Sequence, residues 1–178
     1  MSENKVLIGL VNPKSPTNVG AVMRAAGCYA VDRVFYTGSR YDRAMKLNTD
    51  TKNISESIQL KNVADLLAAI SDNEQDEIKV VCVDLIEGAT PLPNFVHPQK
   101  ALYIFGPEDG TIKQSIVNQA DAVVYVPTIG CMNLAATVNV VLYDRLAKAS
   151  THLIDNELIK RSRDNNNNVK VKSAVIPQ

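Results

Sequence analysis

The fold of this 178-residue chain is decided by the stretch Ala101-Leu-Tyr-Ile-Phe105-Gly106-Pro107-Glu108-Asp109-Gly110. Five apolar residues run without alternation and stop at a Gly-Pro pair, which is typical of a strand buried on both faces. Such strands form parallel sheets, and ligands bind these sheets beyond the carboxyl ends of the strands. The stretch therefore predicts a parallel α/β fold and a functional loop at 105–111.

The remaining chain continues this pattern of apolar strands and helical segments. We predict strands at Val6–Val11, Val34–Thr37, Lys79–Leu85, Ala101–Phe105 and Ala122–Val126, and helices at 18–30, Asn62–Ile70, 111–120 and Asn133–Ala149. Thr17 or Asn18 is the expected N-cap of the first helix, and the polar residues 38–53 predict a long loop. Alternating strands and helices predict a mostly parallel sheet with helices on both faces. One domain is expected over 1–164, followed by a polar tail, 165–178, that is disordered or packs on a neighbour.

The composition argues against several classes of protein. No apolar run approaches the roughly 20 residues that span a bilayer, and no signal peptide is evident, so a cytoplasmic protein is expected. Three cysteines and two histidines are too few and too scattered for a disulfide scaffold or a metal site. Cys28 and Cys82 are expected to be buried, and His97 and His152 to lie at the surface or an interface.

The charge is unevenly distributed although the formal net charge is zero. The first third of the chain contains more Lys and Arg than Asp and Glu. A local basic patch is what a phosphate backbone requires, although an ordinary solvated face is an equal alternative on charge alone. The candidate nucleic-acid-binding residues are Lys14, Arg40, Arg43 and Lys46.

Three segments follow predicted strands and open predicted helices, at 12–24, 105–111 and 126–133. Together they resemble the motif set of the SpoU (TrmH-like) branch of the SPOUT RNA ribose 2′-O-methyltransferases. The first motif is carried by Asn18, Gly20 and Arg24. The second is Phe105-Gly106-x-Glu108, and the third is Val126-Pro127 followed by Cys131-Met132-Asn133-Leu134-Ala135. The resemblance runs from about residue 5 to 150.

Some residues depart from the family pattern. Thr111-Ile112 stands where Gly-Leu is usual, Gly110 is one place early, and Cys131 replaces a serine. The resemblance implies a trefoil knot at the C-terminal side of the sheet, with the cofactor in the knot. It also implies a homodimer whose site is completed across the interface, and the long helix from Asn133 is the expected dimer surface.

The resemblance further implies S-adenosyl-L-methionine as cofactor and no metal. By position, the cofactor would contact Val83, Asp84, Leu85, Gly106, Val126, Ile129, Gly130, Cys131, Met132 and Leu134. The implied catalytic residues are Arg24, Asn18, Glu108 and Asn133. A guanidinium is not a ready base, because its pKa is above about 12. We therefore expect Arg24 to stabilise the developing alkoxide while a phosphate accepts the proton, and Glu108 to orient Arg24 or bind RNA.

The expected function is transfer of a methyl group to a ribose 2′-hydroxyl of RNA, with tRNA favoured by analogy and ribosomal RNA as the alternative. A catalytically inactive RNA-binding protein of the same fold is a second alternative. A nucleotide-dependent doubly wound enzyme is disfavoured because the chain lacks both GxGxxG after the first strand and a GxxxxGK[ST] loop.

Overall fold

The computed structural model describes residues 4–47, 58–70, 77–149 and 156–171. The strands are β1 (Lys5–Leu10), β2 (Arg33–Tyr36), β3 (Leu60–Asn62), β4 (Lys79–Val83), β5 (Thr90–Pro91), β6 (Lys100–Phe105) and β7 (Ala122–Tyr125). The α-helices are α1 (Pro16–Cys28), α2 (Arg40–Leu47), α3 (Gln114–Val117), α4 (Leu134–Lys148) and α5 (Asn156–Ser162). Within these ranges, none of the helices is long and apolar enough to cross a membrane.

The seven strands form one sheet in the order β3-β2-β1-β6-β4-β7-β5, and every pairing is parallel. β6 lies at the centre, where Leu102 is in register with Leu7 of β1 and Val80 of β4. Its residues 101–105 are all buried, as their continuous apolar pattern predicts. The predicted parallel α/β fold is thus confirmed.

The two faces of the sheet are covered differently. One face packs against α1 and α4, whose buried residues include Met23 and Val138. The other packs against the short α3 and against the segment 63–70, through Leu66 and Ile70. In the described part of the chain, long helices therefore cover one face, whereas the sequence predicted helices on both.

Two predicted elements are wrong for identifiable reasons. Residues 62–70 are not helical: β3 ends at Asn62, and the Asp65 carboxylate then accepts the Leu67 amide at 2.8 Å, a local turn that competes with a helix. Residues 40–47 form α2 rather than loop, because Tyr41, Ala44 and Met45 lie at helical spacing and Tyr41 is buried. The remainder of the predicted loop, 48–53, lies outside the described residues.

Several boundaries also shift. α1 begins at Pro16, and its N-cap is Ser15, whose side chain accepts the Asn18 amide at 3.3 Å. Proline suits the first position of a helix because a backbone N–H at that position would have no acceptor within the helix. Only α3 forms within the predicted helix 111–120, because Thr111 and Ile112 bond the Asp84 carboxylate instead of continuing the helix.

Contacts divide the chain into two units, Met1–Lys148 and Ala149–Gln178. The second unit contains α5, and its residues 156–171 are exposed or half-buried. The predicted domain boundary at residue 164 falls inside this unit. Residues 172–178 of the predicted tail lie outside the described residues.

The expected burial of the cysteines holds for one of the two. Cys82 is buried in β4, and burial raises the pKa of its thiol to about 11. Cys28 is exposed, because it falls on the solvent face at the end of α1.

Candidate active site

The Glu108 carboxylate joins the loop after β6 to the start of α1. Its Oε2 accepts the Lys14 amide at 3.0 Å, and its Oε1 accepts the Ser15 amide at 3.1 Å. Oε1 also accepts the side-chain amide of Asn18 at 3.1 Å. Two neighbouring backbone amides and one side chain thus fix the orientation of this carboxylate.

Asn133 adds the third loop to the same arrangement. Its Nδ2 donates to Asn18 Oδ1 at 2.9 Å. Its own Oδ1 accepts the amides of Ala135 and Ala136, at 2.9 and 3.3 Å, and so caps α4. Glu108, Asn18 and Asn133, hereafter the Glu108 cluster, therefore form a continuous hydrogen-bonded chain. They come from three separate sequence motifs, and the structure brings all three together at the carboxyl ends of the strands.

Glu108 stays ionised in this setting. Partial burial raises its pKa, but hydrogen bonds from its own backbone, Asn18, Lys14 and Ser15 together outweigh burial, and the pKa lies below its ordinary value. A charged acceptor strengthens each of these hydrogen bonds. The cluster is thus held in one arrangement at neutral pH.

Arg24 is exposed, and no hydrogen bond or ion pair reaches its guanidinium from the described residues. It lies six residues after Asn18, about 120° around the helix axis. Gly20, one turn before Arg24, has no atom within 4 Å of where a Cβ would be. The structure therefore does not bring Arg24 to Glu108, and it leaves this face of α1 open.

An open pocket lies beside the Glu108 cluster, at the ends of β4 and β7. The empty volume of this pocket is about 350 Å³, which includes the part that opens to solvent. Six of the predicted cofactor residues line it: Val83, Asp84, Leu85, Val126, Cys131 and Met132. Thr128 and Thr137 also line it, and sequence reasoning missed both. Thr137 could have been found from its place one helical turn after Asn133, whose carbonyl accepts the Thr137 hydroxyl at 3.0 Å.

The other predicted cofactor residues have different surroundings. A Cβ on Gly106 would lie 3.1 Å from Asp84 Oδ2, so glycine lets this carboxylate approach the loop. Gly130 has a φ of +94° in a turn that leaves Ile129 fully exposed. Leu134 is buried in the core at the start of α4.

Asp84 ties the pocket wall to the altered second motif. Its Oδ2 accepts the Thr111 hydroxyl at 2.7 Å and the Ile112 amide at 3.0 Å, and its Oδ1 accepts the Leu85 amide. Thr111, which departs from the family pattern, therefore helps to hold Asp84 in place. Because Thr111 and Ile112 bond Asp84, α3 starts only at Gln114.

The four predicted RNA-binding residues fall into two pairs. Lys14 and Arg40 both contact the Asp109 carboxylate, at 3.2 and 2.9 Å. Arg43 and Lys46 are exposed on α2. The structure thus places one pair beside the Glu108 cluster, which sequence spacing did not predict.

A second polar network lies at the other end of α4. His97 Nε2 bonds Asp144 Oδ2 at 2.8 Å, and His97 Nδ1 bonds the Tyr103 hydroxyl at 2.7 Å. That hydroxyl also accepts Arg145 Nη1 at 3.0 Å. The His97 side chain is only 4% exposed, so the surface alternative of the expectation for this histidine is wrong. His152 lies outside the described residues.

Known proteins are similar to this chain in sequence and in fold. A model of the SpoU rRNA methylase family matches residues 5–143. The 23S rRNA (guanosine-2′-O-)-methyltransferase RlmB of Acinetobacter baylyi is 25% identical over 153 residues, which cover 80% of this chain and 60% of that protein. The chain therefore spans about three fifths of this curated relative.

Solved structures are similar at lower identity. The SpoU methyltransferase AviRb from Streptomyces viridochromogenes, in complex with the cofactor AdoMet, superposes with a TM-score of 0.67 at 18% identity, covering 82% of this chain and 58% of AviRb. The TrmH/SpoU tRNA modifying enzyme of A. aeolicus gives 0.64 at 15%, covering 80% and 74%. These two similarities concern the fold. Because the family model covers most of the chain, the chain belongs to the SpoU rRNA methylase family.

Proposed function

We propose that this protein is an RNA methyltransferase that uses S-adenosylmethionine and acts on a ribose 2′-hydroxyl. The observation that carries the proposal is the Glu108 cluster, in which three motif residues from three loops form one hydrogen-bonded chain beside an open pocket. Family membership supports the same activity. A cytoplasmic location and the trefoil knot follow from family resemblance and are part of the proposal.

The pocket fits the cofactor in chemical character. Val83, Val126 and Met132 offer an apolar surface for a base, and Thr128 and Thr137 add polar residues to the lining. When bound, S-adenosylmethionine supplies an electrophilic methyl group. The chain supplies the walls that hold it and the loops that set its orientation. Positioning of this kind accounts for much of the rate of a group transfer.

The polar residues of the three motifs have different roles in this reaction. Asn18 and Asn133 have their side chains fixed by each other, so they are suited to orient a ribose or phosphate. Glu108 fixes Asn18 rather than Arg24. Arg24 would stabilise negative charge on the attacking oxygen, with an RNA phosphate as acceptor of its proton.

Arg24 requires a second copy of the chain in this scheme. Its guanidinium is exposed on the open face of α1. α4, which packs on α1, exposes Tyr143 at 62% and Leu146 at 46%. We propose a homodimer that covers these surfaces and brings Arg24 of one protomer to the Glu108 cluster of the other. Sedimentation velocity should show a dimer that Tyr143→Asp dissociates, and a monomeric active protein would contradict this arrangement.

The substrate is proposed to be tRNA, with ribosomal RNA as the alternative. The test is to incubate the protein with methyl-labelled S-adenosylmethionine and separate pools of unmodified tRNA and rRNA transcripts, followed by nuclease digestion. Label recovered as 2′-O-methylribose from the tRNA pool is the expected result, and label only from the rRNA pool would correct the substrate. Cofactor binding without label in either pool would favour an inactive RNA-binding protein, and absence of cofactor binding would overturn the proposed function.

A further inference from the structure

Two cations converge on one anion close to the Glu108 cluster. Arg40 donates from Nη1 to Asp109 Oδ1 and from Nη2 to Oδ2, both at 2.9 Å. Lys14 Nζ donates to Oδ2 at 3.2 Å. The three side chains belong to three separate elements: the loop before α1, the first turn of α2 and the loop after β6. Folding therefore creates a place where a guanidinium and an ammonium face the same small anion.

The anion in that place is weakly held and always charged. The side chains of Lys14 and Asp109 are about half exposed, at 48% and 49%, and surface ion pairs of this kind add little stability. Hydrogen bonds from Arg40 and then Lys14 lower the pKa of Asp109 to about 2, so it does not release the cations by protonation. Another anion has to displace it.

A phosphodiester suits this position. The planar guanidinium fork binds carboxylate and phosphate in the same two-bond geometry, and lysine adds a point charge. The position also lies beside the proposed reaction site: the amide of Lys14 is bound by Glu108, the residue before Asp109. A phosphate of an RNA docked at the Glu108 cluster would be within reach of this pair.

We propose that the Lys14–Arg40 pair is a phosphate-binding site for substrate RNA and that Asp109 occupies it until RNA displaces the carboxylate. This inference rests on the proposed function. Asp109 then keeps two cations in place while weakening their attraction for any polyanion. Only an RNA that makes further contacts with the protein gains enough binding free energy to displace Asp109. The carboxylate therefore lowers the affinity for RNA in general and raises the selectivity for the substrate RNA.

The test is the variant Asp109→Asn, which keeps the shape of the side chain and removes its charge. Binding of fluorescent unmodified tRNA transcripts, measured without cofactor, should become about two- to fivefold tighter at low salt. The dependence of the dissociation constant on salt should become steeper, because two more cations are available to phosphates. Glu77→Gln is the matched control: it makes the same charge change at the amino end of the sheet, where Glu77 pairs with Lys100, and it should leave both quantities unchanged.

A double variant separates displacement from a general charge effect. Adding Arg40→Gln to Asp109→Asn should abolish the gain, whereas Arg40→Gln in the wild-type background should weaken RNA binding by a smaller factor, because there the gain from the phosphate is partly offset by release of Asp109. Unchanged or weaker binding by Asp109→Asn, or an equal gain in Glu77→Gln, would overturn the inference while wild-type methyl transfer still supports the proposed function. Tighter binding without methyl transfer by the wild type would support the phosphate site and contradict the enzyme. A wild type that binds neither tRNA nor rRNA transcripts would overturn both.

Discussion

Helix α4 has a polar network at each end, and the two networks differ in what surrounds them. At its first turn, the Glu108 cluster lies half-buried beside an open pocket, with its donors and acceptors near solvent. At its last turn, His97, Tyr103 and Arg145 bond each other and backbone carbonyls in a largely closed space. The first network can exchange partners with a ligand, whereas the second joins the segment 92–100 to the helix. We therefore expect substitutions in the first network to change activity and substitutions in the second to change stability.

The largest effect is expected from Arg24→Ala, since the proposed homodimer brings Arg24 to the open end of the partner protomer. Loss of one preorganised donor to a developing negative charge costs about 10²- to 10³-fold in kcat. Arg24 has no partner among the described residues, so the free energy of unfolding and the affinity for S-adenosylmethionine should not change. The measurement is methyl transfer alongside isothermal titration with the cofactor.

Arg33→Ala is the control for Arg24→Ala, since Arg33 is also exposed but lies at the amino end of β2. Cofactor binding that disappears together with turnover would contradict the assigned role of Arg24.

Mixing two impaired variants tests whether the site at the open end is shared between protomers. Arg24→Ala and Asn133→Ala, exchanged at equal concentration, should regain activity of about a quarter of the wild-type sites if each site takes these residues from different protomers. Half the dimers are then mixed, and each mixed dimer has one intact site. No gain over the two separate variants after verified exchange would place both residues in the same protomer's site.

Asn133→Ala should have a smaller effect on turnover than Arg24→Ala, but it should lower the stability of the protein as well as its activity. It removes the N-cap of α4, at a cost of about 1 kcal/mol in unfolding free energy, and it releases Asn18. We expect kcat to fall about tenfold to a hundredfold, in the range of a lost positioning contact. Asn133→Asp keeps the cap, so in urea titrations it should restore the free energy of unfolding while the activity stays low. Full activity in this variant would show that Asn133 acts only as the N-cap of α4.

Tyr103→Phe should affect the closed end without changing activity. A carboxylate only accepts hydrogen bonds, so His97 Nε2 donates to Asp144 and Nδ1 accepts from the Tyr103 hydroxyl. Removing the hydroxyl leaves the Nδ1 of the largely buried His97 side chain without that partner, at a cost of about 1–3 kcal/mol, while Arg145 keeps its bonds to the carbonyls of Pro98 and Gln99. Urea unfolding measures the loss, and kcat per folded molecule should remain unchanged. A large fall in kcat with intact stability would show that the two networks are coupled through α4.

The sequence predicted the open end far better than the closed one. Glu108, Asn18 and Asn133 each lie in a loop after a buried strand, and parallel strands place such loops at one edge. The His97–Asp144 and Lys14–Asp109 contacts join residues 47 and 95 positions apart, which no local periodicity indicates. Helix α2 was not predicted because its apolar face consists only of Tyr41, Ala44 and Met45. The segment 63–70 was predicted to be helical from its apolar spacing, but the turn in which Asp65 accepts the Leu67 amide prevents the helix.

The smallest effect is expected from acidification at the closed end. Burial lowers the pKa of His97, and this outweighs the opposing influence of Asp144, so the folded protein favours the neutral ring. A depressed pKa contributes stability above the unfolded value of 6.5, and that stability is lost as the pH falls from there through the folded pKa. Urea unfolding of the wild type and of His97→Gln from pH 8 to 5 should therefore show a gap that narrows as the pH falls, and His152 cancels because both proteins contain it. A gap that widens on acidification would mean that the charged ring is favoured by Asp144, and the closed network would then be an ion pair rather than a neutral relay of hydrogen bonds.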